Sequence, residues 1–440
     1  MAEHTFVGFG FGPIQAGLFA KEAFQSGHFR RIVVAEIDPR LVDAVQSNGG
    51  TYHVNVARSD RIETIRIDGV ELLNPAHPGE ATALQAALSE ATEITTCLPS
   101  VKFYDSAGDN SVAALIAEGL RTREAEAAIV YAAENHNQAA EILAEASGRR
   151  LGVGRASPLA YERRAGTHDL RRVQFLNTVI GKMSQVVTDP CEMAERNLAP
   201  IAPGLDRAFL VEEFNRILVS RTTIPDFVPG IEVFIEKDDL LPFEEAKLYG
   251  HNAIHALLGF IGILKGYAKM TEIKDDASLM RVARDAFIKE SGAALIRKHA
   301  SLGDALFTEA GYRLYADDLL ERMTNPYLAD TVARAGRDVV RKLGVSDRIF
   351  GTMTLALEHG IEPRNMAIGA LAGVALLLAN VAEHGLPDAL RSLDWQRLNV
   401  GSLTRLLTFV WQSPMSPTLQ KLISCTHAAA DPLVRLLAHQ

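Results

Sequence analysis

Short apolar runs and helical patterns alternate along residues 1–145. The apolar runs predict strands at 5–8, 31–35, 91–96 and 128–132, and helical patterns lie at 14–24 and 111–120. Strands that alternate with helices are typical of a parallel sheet covered by helices on both faces.

The pattern changes in the second half of the chain, where nearly all apolar positions recur at helical spacing. This spacing predicts helices at 244–265, 278–298, 315–322, 330–342, 347–359 and 365–382. Residues 148–172, rich in Arg and Gly, are interpreted as a loop near a domain junction. We therefore predict an α/β Rossmann-like domain over 1–205 and a mainly α-helical domain over 206–440, with the active site in the cleft between them.

Composition narrows the class of protein. The 440 residues are 48% hydrophobic and carry a formal net charge of -9, which argues against a nucleic-acid partner. Three scattered cysteines fit neither a disulfide framework nor a cysteine zinc site, so we expect a reducing, cytoplasmic setting. No signal peptide is visible, and the longest apolar run, 366–379, falls short of the ~18 residues of a membrane span.

A glycine-rich turn lies between the first predicted strand and helix, in FGFGPIQAG at 9–17. Gly10 permits a tight turn, and Gly12 lets the backbone approach a pyrophosphate at the helix N-terminus. Gln15 stands where a dinucleotide fingerprint has its third glycine. Glu36 ends the second strand, where an acid binds a ribose hydroxyl and favours NAD over NADP. The expected cofactor-binding residues are Gly10, Gly12, Pro13, Ile14, Gln15, Glu36 and Thr96. A methyltransferase would also use a glycine-rich turn and an acid after the second strand.

The stretch KLYGHNAIH at 247–255 sets Lys247, Asn252 and His255 at offsets of five and eight residues. On an α-helix the two later residues lie at about 140° and 80° from the lysine, so all three can line one broad face. A solvated helix surface is the plain alternative. His251 and His255 could instead bind a metal, but no third ligand is evident and no metal is expected.

Several segments, FGFGPIQAG and VVAEIDPRLVDAV among them, carry a family resemblance. KLYGHNAIH, YAAENHNQAA at 131–140 and RMTNPYLADTVARAGRDVVRKL at 322–343 resemble the polyol-specific long-chain dehydrogenases, the mannitol dehydrogenase family. The resemblance spans about residues 5–375. It implies that Lys247 is the general base, that Asn135 and Asn252 donate to the developing alkoxide, and that His255 contacts a substrate hydroxyl. It also implies that Arg334 and Lys342 line the substrate site.

A lysine base needs a pKa far below its usual ~10.4, which burial or a nearby cation provides. Arg334 and Lys342 are candidates for that cation. The chain departs from the family at Gly181 and Lys182, where an aspartate–arginine pair is usual. Lys182 keeps the positive charge of a substrate-binding residue, but glycine cannot hold a hydroxyl, so the substrate is expected to differ.

These features predict NAD-dependent oxidation of a secondary alcohol in a sugar alcohol, a sugar-alcohol phosphate or a sugar acid. Two alternatives remain. One is an NAD(H)-binding sensor that has lost catalysis, and the other is a methyltransferase that uses the same turn.

Overall fold

The computed structural model describes residues 4–106, 108–152, 164–165, 168–169 and 172–438. Its contacts divide the chain into two compact units, with the division between Leu241 and Pro242.

The first unit is built on a mainly parallel sheet. In the order in which they pair, its strands are β14 (Phe234–Lys237), β13 (Ile217–Ser220), β10 (Val173–Val179), β7 (Ala128–Ala132), β6 (Glu93–Thr96), β1 (His4–Phe9), β2 (Phe29–Ala35) and β5 (Val70–Leu73). Neighbours from β10 to β5 run parallel, and β13 pairs with β10 in the antiparallel sense.

The remaining strands form a smaller sheet and a short hairpin. The smaller sheet has the order β11 (Ser184–Val187), β12 (Ala208–Glu212), β3 (Tyr52–Ala57) and β4 (Ile62–Ile67), and the hairpin joins β8 (Arg164–Ala165) to β9 (His168–Asp169). β12 runs parallel to β3, so a strand from after residue 205 is hydrogen-bonded to the N-terminal part of the chain. The expected boundary at 205 therefore lies upstream of the division between the two units.

Helices cover both faces of the larger sheet. They are α1 (Lys21–Ser26), α2 (Pro39–Ser47), α3 (Pro78–Glu90), α4 (Val112–Arg121) and α5 (Ala139–Leu151). A further short helix, α6 (Pro190–Glu195), follows β11 and has no buried residue. Two separate apolar clusters lie on the two faces, as a doubly covered sheet requires. α5 occupies the start of the segment that we interpreted as a loop, and residues 153–163, 166–167 and 170–171 of that segment lie outside the described residues.

The second unit is helical. Its α-helices are α7 (Leu241–Glu245), which begins at the division, α8 (Ala253–Leu264), α9 (Met270–Ile273), α10 (Ala277–Asp285), α11 (Ala293–His299), α12 (Glu309–Met323), α13 (Val332–Gly336), α14 (Val339–Lys342), α15 (Arg348–Glu358), α16 (Arg364–Ala379), α17 (Val400–Trp411), α18 (Pro417–Ala428) and α19 (Ala430–Ala438). Short 3-10 turns in the two units lie at Val101–Phe103, Gly108–Asn110, Ala300–Leu302, Ala305–Phe307, Asp388–Leu390 and Trp395–Arg397. The predicted α/β domain followed by a helical domain is confirmed.

Several helices contain π-helical turns. In the described part of the chain these are Gln15–Ala20, Ala246–Asn252 and Ala286–Gly292. The last two interrupt the helices that we predicted at 244–265 and 278–298. π-Helical turns are rare and are found frequently at functional sites.

α16 contains the longest apolar run and is almost wholly buried. Glu290 accepts hydrogen bonds from the backbone N–H groups of Asn365 and Met366, which the first turn of α16 leaves unpaired. No helix in the described residues has the length and apolar character needed to cross a membrane.

Candidate functional site

The carboxyl ends of four parallel strands lie side by side at one end of the larger sheet. β2, β1, β6 and β7 lie side by side, with their last residues in register at Ala35, Phe9, Thr96 and Ala132. The strand order reverses at β1, and in open α/β sheets ligands bind in the crevice at such a point. The segments that follow these strands carry the predicted residues Gly10, Gly12, Glu36 and Asn135.

The glycine-rich turn has the geometry that its sequence predicts. Gly10 has a φ of +80°, and its N–H donates to the carbonyl of Ala35 at 2.8 Å. A Cβ at Gly10 would lie 3.0 Å from the carbonyl oxygen of Cys97, whereas a Cβ at Gly12 would meet nothing within 4 Å. Open space therefore lies beside Gly12, where the next helix begins and leaves its first N–H groups unpaired.

Glu36 closes this turn. One carboxylate oxygen accepts the N–H of Phe11 at 2.6 Å, and the other accepts those of Ile37 and Asp38 at 2.7 and 2.9 Å. An ionised carboxylate has about four lone-pair positions, so three contacts leave room for one ligand hydroxyl. The same negative charge would repel a 2′-phosphate.

The side chain of Gln15 lies in the protein interior. It is fully buried, and its Oε1 accepts the Thr95 hydroxyl at 2.9 Å. The side chain fits because Gly8 has no Cβ, which would lie 2.1 Å from the Gln15 amide nitrogen. That Gln15 binds the cofactor stays a prediction, although the whole residue is buried in this structure. Pro13 and Ile14 are half-buried at the start of the helix.

Thr96 is also buried, and its hydroxyl donates to Glu134 at 2.9 Å. The Glu134 carboxyl further accepts the Leu98 N–H at 2.8 Å and the Tyr104 hydroxyl. Burial raises the pKa of Glu134. These contacts join the end of β6 to the end of β7, where Asn135 follows at an exposed position.

Gly181 and Lys182 lie just past the end of β10, which runs parallel to β7. A Cβ at Gly181 would meet nothing within 4 Å, and its backbone does not have a positive φ. Packing therefore does not demand glycine at this position. Lys182 is half-buried.

In the second unit, Lys247 and Asn252 both lie in the π-helical segment Ala246–Asn252. A π-helix closes its hydrogen bonds between residues five apart, so residues at this spacing stack as residues four apart do in an α-helix. The predicted angle of about 140° between Lys247 and Asn252 was wrong, because it assumed an α-helix. Asn252 is half-buried, and its amide makes no hydrogen bond to any residue that the structure describes.

Lys247 is half-buried, and its surroundings favour the neutral amine. Burial lowers the pKa of Lys247 to about 8, with Glu244 opposing the change and Arg348 supporting it. Arg348, at the start of α15, is therefore the neighbouring cation, in place of the expected Arg334 or Lys342. The sequence carried no signal for this role, because Arg348 reaches Lys247 only through helix packing.

His255 and Arg334 meet at one carboxylate. His255 Nε2 lies 2.8 Å from Asp330 Oδ2, and Arg334 Nε donates to Asp330 Oδ1 at 2.5 Å. The Asp330 side chain is 2% exposed. Although burial alone would raise its pKa, the hydrogen bonds from His255 and Arg334 lower the pKa of Asp330 to about 2.

Lys342 is buried, and its ammonium donates to the carbonyl of Ala335 at 2.5 Å. Burial, together with Arg348 and Arg341, lowers the pKa of Lys342 to about 8. The single helix predicted over 330–342 is broken, because Asp338 adopts a positive φ of 58° between α13 and α14. Lys342 thus reaches back to the end of α13 across the break, and not along one continuous helix face.

His251 is buried, and burial holds the pKa of its ring well below the usual range. Its ring centroid lies 6.4 Å from that of His255. Among the described residues, no group of three or more His, Cys, Asp or Glu side chains could hold a metal ion.

Residues 239–399 match the family model of the mannitol dehydrogenase C-terminal domain. This part of the chain is similar to the C-terminal domain of the mannitol dehydrogenase family. The matched segment contains Lys247, Asn252, His255, Arg334 and Lys342. The resemblance that the sequence suggested is confirmed.

Similarity to known dehydrogenases extends over nearly the whole chain. A mannitol-1-phosphate 5-dehydrogenase of an Exiguobacterium species is 27% identical over 418 residues, which cover 91% of this chain and 95% of the relative. A substrate-free D-sorbitol dehydrogenase structure matches with a TM-score of 0.74 at 17% identity, covering 99% of this chain and 95% of that chain. The Pseudomonas fluorescens mannitol 2-dehydrogenase, solved with NAD and D-mannitol, matches with a TM-score of 0.66 at 17% identity, covering 100% of this chain and 94% of that chain. At this identity the two structures show a shared fold.

Proposed function

We propose that the protein is an NAD-dependent dehydrogenase that oxidises a secondary alcohol of a sugar alcohol, a sugar-alcohol phosphate or a sugar acid. The observation that carries the proposal is the π-helical segment Ala246–Asn252. It combines a lysine whose pKa is lowered to about 8 with an amide that has no partner among the described residues. A base and a hydrogen-bond donor on one face are what alcohol oxidation requires.

The glycine-rich turn that follows β1 in the first unit suits NAD. Gly12 borders open space, and Glu36 retains a position for one ribose hydroxyl. NAD, when bound, supplies the hydride acceptor. Its use is also in line with the mannitol 2-dehydrogenase relative that was solved with NAD.

Lys247 accepts the proton of the substrate hydroxyl as the C–H bond breaks. With a pKa of about 8, a substantial fraction of the amine is neutral near pH 7.5. The resemblance implies that the amide N–H groups of Asn252 and Asn135 donate to the oxygen that gains negative charge. Each such donor is typically worth about 3 kcal/mol in the transition state.

The remaining polar residues would recognise the substrate. By the same resemblance, His255 would bind a hydroxyl, and Arg334, Lys342 and Lys182 would supply positive charge for the substrate. This set suits a substrate with a phosphate or a carboxylate. Gly181 leaves open space where the family has an aspartate, so the hydroxyl pattern that is accepted is expected to differ from that of the relatives.

Lys247→Ala tests the catalytic role, with Lys289→Ala as the matched control. Lys289 also lies in a π-helical segment, but its side chain is 68% exposed and pairs with Asp285. We expect Lys247→Ala to lose at least about a hundredfold in kcat on the best substrate of a panel, with NADH affinity unchanged. The panel contains D-mannitol 1-phosphate, D-mannitol, D-sorbitol and hexonic acids, and turnover is followed by NADH absorbance.

Other outcomes would contradict the proposal. NADH binding without turnover on any member of the panel would favour a sensor that has lost catalysis. Stabilisation by S-adenosylmethionine but not by NADH would favour a methyltransferase. Equal activity in Lys247→Ala and Lys289→Ala would remove Lys247 from the chemistry.

A further inference from the structure

Asp330 is the common partner of two residues with proposed substrate roles. Its Oδ2 faces His255 Nε2 at 2.8 Å, and its Oδ1 accepts Arg334 Nε at 2.5 Å and the N–H of Thr331 at 2.9 Å. A buried carboxylate with hydrogen bonds on both oxygens has a fixed orientation. The positions of the His255 ring and the Arg334 guanidinium are therefore set by the same group.

The contact with Asp330 decides the tautomer of His255. An ionised carboxylate can only accept, so the proton of the neutral ring must be on Nε2. Nδ1 then carries a lone pair and makes no hydrogen bond to any described residue. The side chain is 18% exposed, so Nδ1 can accept a hydrogen bond from a ligand hydroxyl.

Arg334 is held in a similar way. Its Nε is committed to Asp330, and its side chain is 31% exposed. The two terminal nitrogens have no hydrogen-bond partner among the described residues. They form the fork that binds carboxylate or phosphate oxygens in pairs.

We propose that Asp330 is a positioning residue, which holds His255 as a hydrogen-bond acceptor for a substrate hydroxyl and points the free edge of Arg334 at the same substrate. The inference rests on the proposed dehydrogenase function. It adds that the substrate presents a hydroxyl donor to His255 Nδ1 and an acceptor group to Arg334.

The backbone around Asp330 is held by contacts that do not use its carboxylate. The carbonyl of Asp330 accepts the N–H of Met270, and the N–H of Val332 donates to the carbonyl of Ala268. The hydroxyl of Thr331 caps α13 by accepting the N–H of Arg334. A change of the carboxylate to an amide should therefore leave this turn in place.

Asp330→Asn is the test variant, and Asp276→Asn is its matched control. Asp276 is also a nearly buried carboxylate with a pKa lowered to about 2, but it pairs with Lys265. We expect Asp330→Asn to lower kcat/KM by about 10- to 100-fold, the range found when the partner of a metal-bound histidine is removed. NADH affinity should not change. Asp276→Asn should lose comparable thermal stability and keep kcat/KM within about twofold.

A double-mutant cycle separates positioning from a general structural effect. If Asp330 acts through His255, the loss from Asp330→Asn should be at least fivefold smaller in a His255→Ala background than in the natural protein. Losses that multiply in the double variant would overturn the inference.

A readout without turnover distinguishes this inference from the proposed function. In protein with 15N-labelled histidines, the His255 resonances, assigned by their loss in His255→Ala, should show a protonated Nε2 and an unprotonated Nδ1 at pH 8. Asp330→Asn should mix the two tautomers. A proton on Nδ1 in the natural protein would overturn the inference even if the enzyme is active. If His255 shows the expected tautomer but the protein turns over no substrate, only the dehydrogenase proposal would be refuted.

Discussion

The hydroxyl of Thr352 lies 3.0 Å from the carbonyl oxygen of Tyr249, inside the π-helical segment that carries Lys247. Thr352 is fully buried in α15, and the neighbouring Gly351 lets the Tyr249 ring approach, since a Cβ there would lie 2.7 Å from the ring. A π-helical turn shifts the backbone hydrogen bonds of a helix. We infer that packing of α15 against Tyr249 stabilises the turn.

Thr352→Val should therefore disturb the site. It removes a buried hydroxyl that contacts the carbonyls of both Tyr249 and Arg348, and loss of such a polar contact costs about 1–3 kcal/mol. We expect a lower free energy of unfolding and a kcat/KM about tenfold lower, because small displacements of catalytic groups are costly. Urea unfolding and steady-state kinetics measure the two effects.

Thr426→Val is the control for this change. Thr426 is also fully buried, and its hydroxyl donates to the carbonyl of Leu422 in α18, as that of Thr352 donates to Arg348 in α15. It should cost some stability and leave kcat/KM unchanged. If both variants kept full activity, the link between Thr352 and the π-helical segment would be refuted.

The pKa of Lys247 predicts the pH dependence of the reaction. A base works only when unprotonated, so alcohol oxidation should rise with pH and level off above about 8. Carbonyl reduction needs the protonated lysine and should fall over the same range. The measurement is kcat/KM from pH 6 to 10 in both directions, and a flat profile around pH 8 would contradict the assignment.

Arg348→Gln should move this profile to higher pH. The Arg348 charge lowers the pKa of Lys247, so its removal lets that pKa rise. Arg284→Gln serves as the control, because Arg284 is exposed and pairs with Asp317. An unchanged midpoint in Arg348→Gln would show that burial alone sets the pKa of Lys247.

Gly8→Ala should destabilise the first unit. The new Cβ would lie 2.1 Å from the buried Gln15 amide, and such overpacking costs about 1–3 kcal/mol. Adding Gln15→Ala should restore part of the loss, because it removes the clashing amide. Gly79→Ala, at a position with nothing within 4 Å, should be near neutral in the same urea unfolding assay. No rescue in the double variant would show that Gly8 is needed for another reason.

Glu93 should make stability depend on pH. Burial raises the pKa of Glu93 from 4.5 to about 7, while the Gly230 N–H and the Tyr131 hydroxyl donate to its carboxyl. His4 Nδ1 also lies 3.7 Å from it. Between pH 4.5 and about 7 the folded protein therefore holds one proton more than the unfolded chain. The free energy of unfolding falls as pH rises through this window, by about 3 kcal/mol in total.

Glu93→Gln removes this titration and keeps an acceptor for Gly230. The difference in unfolding free energy between the variant and the natural protein should grow in favour of the variant from about pH 4.5 to 7, and stay constant above. Urea unfolding at several pH values measures it. If the unfolding free energies of the two proteins changed in parallel with pH, Glu93 would not titrate in this range.

The sequence by itself determined the features that depend on local pattern. The strand predicted at 128–132 is present at Ala128–Ala132, and the helix predicted at 347–359 is present at Arg348–Glu358. The turn at Gly10 was also predictable, because its positive φ is a property that glycine allows locally. The sequence also identified Lys247, Asn252 and His255 as a group, although their roles stay a proposal.

Only the tertiary structure decided how these residues are held. The π-helical turn cannot be read from apolar spacing. It depends on the helices that pack against it, one of which is α15 with Thr352. The side chain of Gln15 lies inside because Gly8, on the neighbouring strand, leaves the space. Asp330 joins His255 to Arg334, and Arg348 adds its charge near Lys247, across long stretches of chain. Periodicity reports which face of an element is buried, whereas the partner and the resulting pKa arise only when distant elements pack together.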